Sequence, residues 1–321
     1  MARGAREGRR HGPSKITVNK EWLCHRCEII YALTLAMNYL QLRPGGAVRR
    51  YVQCYWMLED AASAGGVQRI LPDGRPALIL NWGRPFESYA DGVWTRQPGC
   101  FFVGQITGPL LLRPCGPAAM LGISFHPHGA AQLLRMPMCE LTDSAVSLAD
   151  LASLGARPLL VALERLRETY SLRAGLAALD GVLRAFAERS FAGDDPVAHA
   201  VLEMERSGGL VRIRGLADRL SWSSRQLQRR FRDAVGISPK LFCRMQRFQR
   251  VFAAMDHLGS DWVNAAVDCG YYDQAHLIRD YREFSGKTPT SLLEREMDLS
   301  RRFVRADGMS HFSNTAGILS R

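Results

Sequence analysis

The sequence predicts an α+β protein: a small β-barrel domain and a helical pair, then an all-α domain of two helix-turn-helix units joined by a long helix. Three observations predict this arrangement. Short apolar runs broken by turn residues fill residues 48–128, a helical period follows over 157–191, and a segment is repeated between 195 and 296. We expect a basic extension, a β-rich domain, a helical pair, a helix-turn-helix domain and a flexible tail over residues 1–42, 43–154, 155–192, 193–296 and 297–321.

Composition and charge set the broad class of the protein. With 321 residues, of which 47% are hydrophobic and 23% charged, the chain is long enough for two globular domains and too apolar to be disordered throughout. The net charge is +11, but residues 1–50 alone carry ten basic and three acidic residues. Most of the excess therefore lies on the N-terminal extension, which we expect to be partly disordered, and net charge alone does not establish nucleic-acid binding.

The cysteines and the apolar stretches indicate a cytoplasmic protein without membrane association. The eight cysteines are scattered and no signal peptide is expected, which favours reduced thiols. The longest apolar stretch, residues 29–40, is too short to cross a bilayer. Cys24 and Cys27 have CxxC spacing, but zinc needs four ligands and no second pair accompanies them.

The front of the chain has the pattern of a β-rich domain. Its apolar runs are Tyr51–Leu58, Ala77–Trp82, Cys100–Val103, Leu110–Leu112 and Met120–Phe125. Runs of this length between turn residues are typical of a small sheet or barrel. Two antiparallel helices with one apolar stripe each are expected next, over residues 157–191. The stripe can pack on the barrel, which is the default, or against a second copy of the chain, which would make these helices a dimer interface.

The repeat has two copies that align residue for residue. The first copy runs from Leu216 to Pro239 and the second from Ala265 to Pro289. From Ser223 onward the copies register at a constant offset of 50, so Leu227 matches Leu277, Phe231 matches Tyr281, Gly236 matches Gly286 and Pro239 matches Pro289. A repeated helix-turn-helix is the simplest interpretation.

Each copy carries signals for the start and the end of its second helix. Ser223 can cap this helix in the first copy, and Gln226 completes a capping box. Asp273 takes the capping role in the second copy. Gly236 can end the helix in a left-handed conformation, and Pro239 can begin the next one.

The second helix of the first copy has a polar outer face. Leu227 and Phe231 lie four apart and are expected to point inward. The residues left facing outward are Ser224, Arg225, Gln228, Arg229 and Arg232. Because Arg and Gln can make bidentate hydrogen bonds to guanine and adenine edges, this face is that of a DNA-reading helix. The alternative, an ordinary solvated helix, is disfavoured by the matched repeat.

The stretch between the copies predicts the connecting helix. Residues Lys240–Leu258 carry apolar side chains at helical spacing, and such a helix spans about 25 Å. It can hold two recognition helices near the roughly 34 Å that separate successive major grooves on one face of DNA. One molecule would then read two adjacent groove segments.

The second copy contains Gly270-Tyr271, Asp273-Gln274, His276-Leu277, Arg279, Tyr281-Arg282, Gly286 and Pro289. This series resembles the C-terminal signature of the arabinose-regulator (AraC/XylS) family of bacterial transcription factors. The resemblance implies a sequence-specific regulator, not an enzyme, with double-stranded DNA and RNA polymerase as partners; activation is expected, although the residues leave repression open. It implies base contacts from Arg225, Gln228 and Arg229 in the first copy and from Gln274, Ala275, Ile278 and Arg279 in the second.

The two copies differ in charge. Residues 216–239 contain five Arg and two Asp, whereas residues 265–289 contain three basic and four acidic residues. Ile278 offers a base pair only an apolar contact, to a thymine methyl group. We therefore expect the first copy to supply most of the sequence specificity and the second mainly to position the protein.

The front domain also carries a looser resemblance. The phrases Leu71-Pro72-Asp73-Gly74-Arg75-Pro76 and Gly122-Ile123-Ser124-Phe125 resemble the small β-rich, cupin-like sensor domain that precedes this DNA-binding unit in some family members. This implies modulation by a partner or by a small-molecule effector of unknown identity. Trp56 and Trp82 can line a pocket for it, although an ordinary core is the default.

Two histidines leave a second class of function open. His126 and His128 alternate on one predicted strand, where both side chains can face a barrel interior and bind a metal. That would make the chain a metal-dependent, cupin-like enzyme with an appended DNA-binding domain. Because two ligands without a nearby carboxylate are too few, structural histidines are the default, and we expect no metal, cofactor or catalytic residue.

Overall fold

The computed structural model describes residues 29–34, 37–60, 66–152, 156–168, 172–189, 195–258, 266–267 and 269–288. These residues form an antiparallel β-rich front domain followed by a helical domain, as the sequence predicts. Cys24 and Cys27 lie outside the described residues. None of the described helices has the length and apolarity that a membrane-spanning helix needs.

The front domain contains two open sheets. The strands are β1 (Ile29–Thr34), β2 (Met37–Leu42), β3 (Val52–Asp60), β4 (Gln68–Ile70), β5 (Ala77–Asn81), β6 (Glu87–Ala90), β7 (Val93–Arg96), β8 (Cys100–Val103), β9 (Leu110–Arg113), β10 (Ala118–Phe125) and β11 (Ala145–Ser147). The order is β1-β2-β3-β10-β5-β8-β11 in the seven-stranded sheet and β4-β9-β6-β7 in the four-stranded sheet.

The closed barrel expected from the sequence is therefore wrong for the described strands. In a barrel the first and last strands of the sheet are hydrogen-bonded to each other, whereas β1 and β11 lie at opposite edges here. The pattern of short apolar runs between turns is common to sandwiches and barrels, so it does not distinguish them. The runs themselves were placed correctly, since β3, β5, β8, β9 and β10 coincide with them.

The structure also differs from the extension expected over residues 1–42. Strand β2 pairs antiparallel with β3, with Met37 opposite Asp60 and Leu42 opposite Tyr55, and β1 pairs with β2. The sequence pattern missed this hairpin because the residues that connect its strands, 35–36, contain neither glycine nor proline. The basic stretch before residue 29 lies outside the described residues.

Four helices follow or interrupt the front sheets: α1 (Gly129–Leu134), α2 (Leu148–Leu151), α3 (Arg157–Glu168) and α4 (Leu172–Arg189). Leu159 and Leu163 of α3 and Leu183 of α4 are buried in the same cluster as Leu121 and Phe125 of β10. The apolar stripe of the helical pair thus packs on the seven-stranded sheet, which is the default alternative for these helices.

A second core lies between the two sheets. Trp56 of β3 is buried there, stacks 6.4 Å from Tyr39 and donates a hydrogen bond from Nε1 to Ser124 Oγ at 3.1 Å. Its indole lies directly on Gly122 of β10. Trp82, in contrast, packs against the cluster of the helical pair. The two tryptophans therefore belong to separate cores and do not line one pocket.

The helical domain contains α5 (Pro196–Arg206), α6 (Ile213–Arg219), α7 (Ser224–Val235), α8 (Pro239–Leu258) and α9 (Gln274–Ser285). Asp195 caps α5 by accepting a hydrogen bond from the Val197 amide, with Pro196 in the first turn. A single core joins these helices, with α8 between α7 and α9. The connecting helix thus begins at Pro239, as its sequence predicts.

Gly122 tests the core between the sheets. We expect Gly122→Ala to destabilise the front domain by about 1–3 kcal/mol or more, because overpacking a filled core forces neighbouring groups apart. An added Cβ would lie 1.9 Å from Trp56 Cε2. Denaturant unfolding followed by tryptophan fluorescence measures the change. The matched control is Gly181→Ala on α4, where a Cβ meets open space and a gain of about 0.5–1 kcal/mol is expected. Equal effects of the two substitutions would contradict this packing.

Candidate nucleic-acid interface

Helices α6 and α7 form the first helix-turn-helix. The connection is closed by a hydrogen bond from the Trp222 amide to the carbonyl oxygen of Ala217 at 2.9 Å. Ser223 Oγ accepts from the Gln226 amide at 3.2 Å, and Gln226 Oε1 accepts from the Ser223 amide at 2.8 Å, so both halves of the predicted capping box are present. Gly236 ends α7 with φ +99°, the left-handed conformation expected there.

The polar face of α7 points to solvent. Leu227 and Phe231 are fully buried in the core of the helical domain. The five residues predicted to face outward, Ser224, Arg225, Gln228, Arg229 and Arg232, are all exposed. A contact that the sequence did not reveal is the guanidinium of Arg230 over the ring of Trp222, 4.9 Å from its centroid. The structure thus leaves the whole predicted reading face accessible.

Helix α9 is the corresponding helix of the second copy. Asp273 Oδ1 accepts a hydrogen bond from the His276 amide at 2.7 Å, and Gly286 ends the helix with φ +69°. Of the predicted contact residues, Gln274, Ala275 and Arg279 are exposed and Ile278 is half-buried. The helix before α9 is described only at residues 266–267, so the second helix-turn-helix is only partly within the described chain.

A buried ion pair joins α8 to α9. Asp280 is 1% exposed and accepts hydrogen bonds from Arg244 Nη2 at 2.7 Å, from Arg244 Nε at 3.2 Å and from the Tyr271 hydroxyl at 3.2 Å. Arg244 also binds Glu283, and its hydrogen bonds to Glu283 and then Asp280 raise the pKa of its guanidinium. Burial, followed by the charge of Asp280, raises the pKa of Tyr271.

This ion pair changes the surface charge that the sequence predicts for the second copy. The sequence count treats Asp280 as a surface acid, whereas its carboxylate lies in the core and is neutralised by Arg244. The burial of Asp280 could have been predicted from the helical period, because position 280 lies on the inward face of the helix with Leu277, Tyr281 and Phe284. The α9 surface is therefore less acidic than the count for residues 265–289 indicates.

The two histidines of the enzyme alternative lie together at the start of α1. The rings of His126 and His128 are 5.9 Å apart at an interplanar angle of 17°. Burial lowers the pKa of His126 to about 4 and also lowers the pKa of His128, so both are neutral near pH 7. Among the described residues no group of three or more His, Cys, Asp or Glu side chains is placed to bind a metal. The pair alone does not make a metal centre.

Arg244 tests the link between α8 and α9. We expect Arg244→Ala to lower the free energy of unfolding by about 3 kcal/mol, because it leaves the Asp280 carboxylate buried without its cation. Combining it with Asp280→Asn should restore part of the loss by removing the stranded charge. Lys240→Ala, at an exposed position on the same helix, is the control and should change stability little. A loss no larger than in this control would show that the ion pair does not hold the helices.

Comparisons with known proteins agree with this division of the chain. Residues 216–295 match a family described as a helix-turn-helix domain, and residues 40–147 match a domain of unknown function, DUF6597. No curated protein matches the chain in sequence.

Several solved structures are similar in outline. A structure of ToxT from Vibrio cholerae matches with a TM-score of 0.39 and 11% identity, over 71% of this chain and 96% of that one. A ToxT structure with a bound unsaturated fatty acid matches with a TM-score of 0.37 and 10% identity, over 80% and 93% of the two chains. The AraC-like transcriptional activator CuxR matches with a TM-score of 0.23 and 15% identity, over 74% and 85%. Such scores carry no argument about function.

The decisive comparison is the helix-turn-helix match, because it covers both copies of the repeat, residues 216–289. It includes the capped helix α7 with its outward-facing polar side chains and helix α9 of the second copy. The chain is therefore a DNA-binding transcription regulator, with a β-rich domain in front of its helix-turn-helix domain.

Proposed function

We propose that the chain reads two adjacent major-groove segments of one DNA site, the first through α7 and the second through α9. The observation that carries the proposal is the two-sided character of α7: its apolar side chains are fully buried while its five predicted contact residues are exposed. A helix held in this way can enter the major groove without exposing its core. Its capped N-terminal end, which has a partial positive charge, favours nearby phosphates.

The exposed side chains of α7 differ in the DNA contacts that their chemistry favours. Arg225, Gln228 and Arg229 are proposed to contact base edges, because their planar donor groups match guanine and adenine. Ser224 and Arg232 flank them on the exposed face and suit phosphate contacts.

On α9 we propose base contacts from Gln274, Ala275, Ile278 and Arg279. Arg279 is the one cation among these four, and Ile278 is half-buried. A small residue and an aliphatic one discriminate less than arginine does, since they offer the groove only apolar contacts. The first copy is therefore proposed to supply most of the sequence specificity.

The front domain is proposed to modulate DNA binding in response to a small-molecule effector. This proposal is supported by direct packing of the front domain on the helical domain: Leu71, from the turn after β4, belongs to the buried core of the helical domain. A change in the front domain can therefore reach α8 without a flexible linker between them. We retain transcriptional activation in the cytoplasm, with RNA polymerase as a partner, as part of the proposal.

We also propose that the chain forms a homodimer, through the outward face of the helical pair α3 and α4. The stripe of the helical pair is buried on the sheet, so an interface there would have to use the outward face, where Val161 is 37% exposed. Sedimentation velocity on the wild-type chain and on Val161→Glu tests it. A dimer that the substitution dissociates supports this surface, and a monomer at all concentrations contradicts it.

The ordering of the two readers can be tested on the natural DNA site, identified by sequencing the genomic DNA that co-purifies with the protein. We expect Arg229→Ala to weaken binding by about 1–3 kcal/mol, or roughly 5–150-fold, and Arg279→Ala to weaken it less. Titrations at fixed salt measure both, with Arg96→Ala, at an exposed position on β7 of the front domain, as a charge-matched control. A larger loss for Arg279→Ala would reverse the proposed ordering.

The same titrations separate regulation from non-specific packaging of DNA. A regulator should prefer its site over unrelated DNA by a factor on the order of a thousand or more. Equal affinity for all sequences at one salt concentration would contradict the proposed function.

A further inference from the structure

The front domain contacts the C-terminal ends of both α7 and α9, at or next to the glycines that correspond in the repeat. At the end of α7, the carbonyl oxygen of Gly236 accepts a hydrogen bond from Thr142 Oγ1 at 2.8 Å. At the end of α9, the carbonyl oxygen of Ser285 accepts one from Arg69 Nη1 at 2.9 Å, and Gly286 follows directly. An added Cβ would lie 3.0 Å from Thr142 Oγ1 at Gly236 and 3.0 Å from Arg69 Nη1 at Gly286. The two acceptor carbonyls are one position apart in the repeat, because Ser285 corresponds to Val235, but both contacts lie at the glycine that ends the helix.

The two contacts come from different sheets of the front domain. Arg69 lies on β4, at the edge of the four-stranded sheet. Thr142 lies three residues before β11, the edge strand of the seven-stranded sheet. The next residue, Asp143, donates a hydrogen bond from its amide to the carbonyl oxygen of Gln105. The end of α9 is therefore bonded to a strand of the four-stranded sheet, and the end of α7 to the segment that leads into the edge strand of the seven-stranded sheet.

The core between the sheets determines how far apart these attachments lie. Trp56 and Leu58 of β3 fill it from the seven-stranded side, and Ile70 and Leu112 pack against it from the four-stranded side. Ile70 is the residue directly after Arg69, so a shift of the four-stranded sheet must carry Arg69 with it. A displacement of one sheet against the other would therefore act differently on the end of α9 and on the end of α7.

The turn after β4 anchors the front domain between the two attachments. Leu71 is buried in the core of the helical domain, and Gln249 of α8 donates a hydrogen bond to the carbonyl oxygen of Pro72. Gly74 lies flat on the ring of Phe242, where a Cβ would come within 2.9 Å of Cε2, and its φ of +81° favours glycine. This anchor holds the turn after β4, and with it the edge of the four-stranded sheet, against α8.

We infer that Thr142 and Arg69 are positioning residues, through which the packing of the two front sheets sets the separation of α7 and α9 and hence the spacing of groove contacts that the chain accepts. The inference rests on the proposed function of both helices as DNA readers. An effector that shifts one sheet against the other would then change the preferred spacing of the site and would leave each reading face intact.

The test compares DNA sites that differ only in spacing. The natural site is used with zero, one or two base pairs inserted or removed between its two groove segments; each base pair changes the separation by about 3.4 Å and the rotation by about 34–36°. Thr142→Val and Arg69→Met each remove the hydrogen bond and keep the side-chain volume. Gln68→Ala is the control, because Gln68 lies next to Arg69 on β4 and its amide bonds within its own turn, to Gly66.

We expect the wild-type chain and Gln68→Ala to bind the natural spacing best. Thr142→Val and Arg69→Met should each lower the preference for that spacing by roughly 2–12-fold, the equivalent of one hydrogen bond. Their affinity for DNA that carries only the segment read by α7 should not change. Variants that keep the full preference, or that lose affinity equally at every spacing, overturn the inference.

Two further readouts keep these results interpretable. If the wild-type chain itself shows no sequence preference, the proposed function fails, and this is distinct from a wild-type preference that the variants retain. Circular dichroism and denaturant unfolding show whether each variant is folded. Should Arg69→Met fail to fold, Thr142→Val decides alone, since it replaces one hydroxyl by a methyl group.

Discussion

Aromatic packing against α8 is the constraint on which the proposed DNA-reading surface depends. Phe248 is fully buried and meets the ring of Tyr281 at 4.9 Å and that of Phe284 at 5.3 Å, both from α9. On the other side Phe242 meets Phe231 of α7 at 5.6 Å. Because these rings fix the inward face of each second helix, the opposite faces can only point to solvent. The arginines on α7 are therefore exposed because the opposite, apolar face of the helix is buried in the core.

Local signals in the sequence were enough to predict the reading helices. The cap at Ser223, the cap at Asp273 and the left-handed exit at Gly236 are determined by neighbours within four residues, and each is present in the structure. Five strands of the front domain, β3, β5, β8, β9 and β10, were located because their apolar runs end at turns. Whether the strands close into a barrel was not predicted correctly. Closure requires pairing between the distant strands β1 and β11, and the alternation of apolar and polar residues does not determine that pairing.

What the sequence could not reveal depends on contacts between distant segments. The Thr142 hydroxyl reaches Gly236, and Arg69 reaches Ser285, across more than ninety and two hundred positions of sequence. Neither residue belongs to a motif. Asp280 shows the same limit for charge, because its carboxylate counts as surface acid in the sequence and as half of a buried pair in the fold. The net charge counted over a stretch of sequence is thus a poor guide to the charge on the exposed surface of α9.

The central claim is that one chain presents two reading helices to successive turns of a duplex. Hydroxyl-radical footprinting of the chain on its natural site tests it most directly. The account predicts two protected segments about 10–10.5 base pairs apart, on the same face of the DNA. A single protected segment, or protection spread evenly along the duplex, would contradict it.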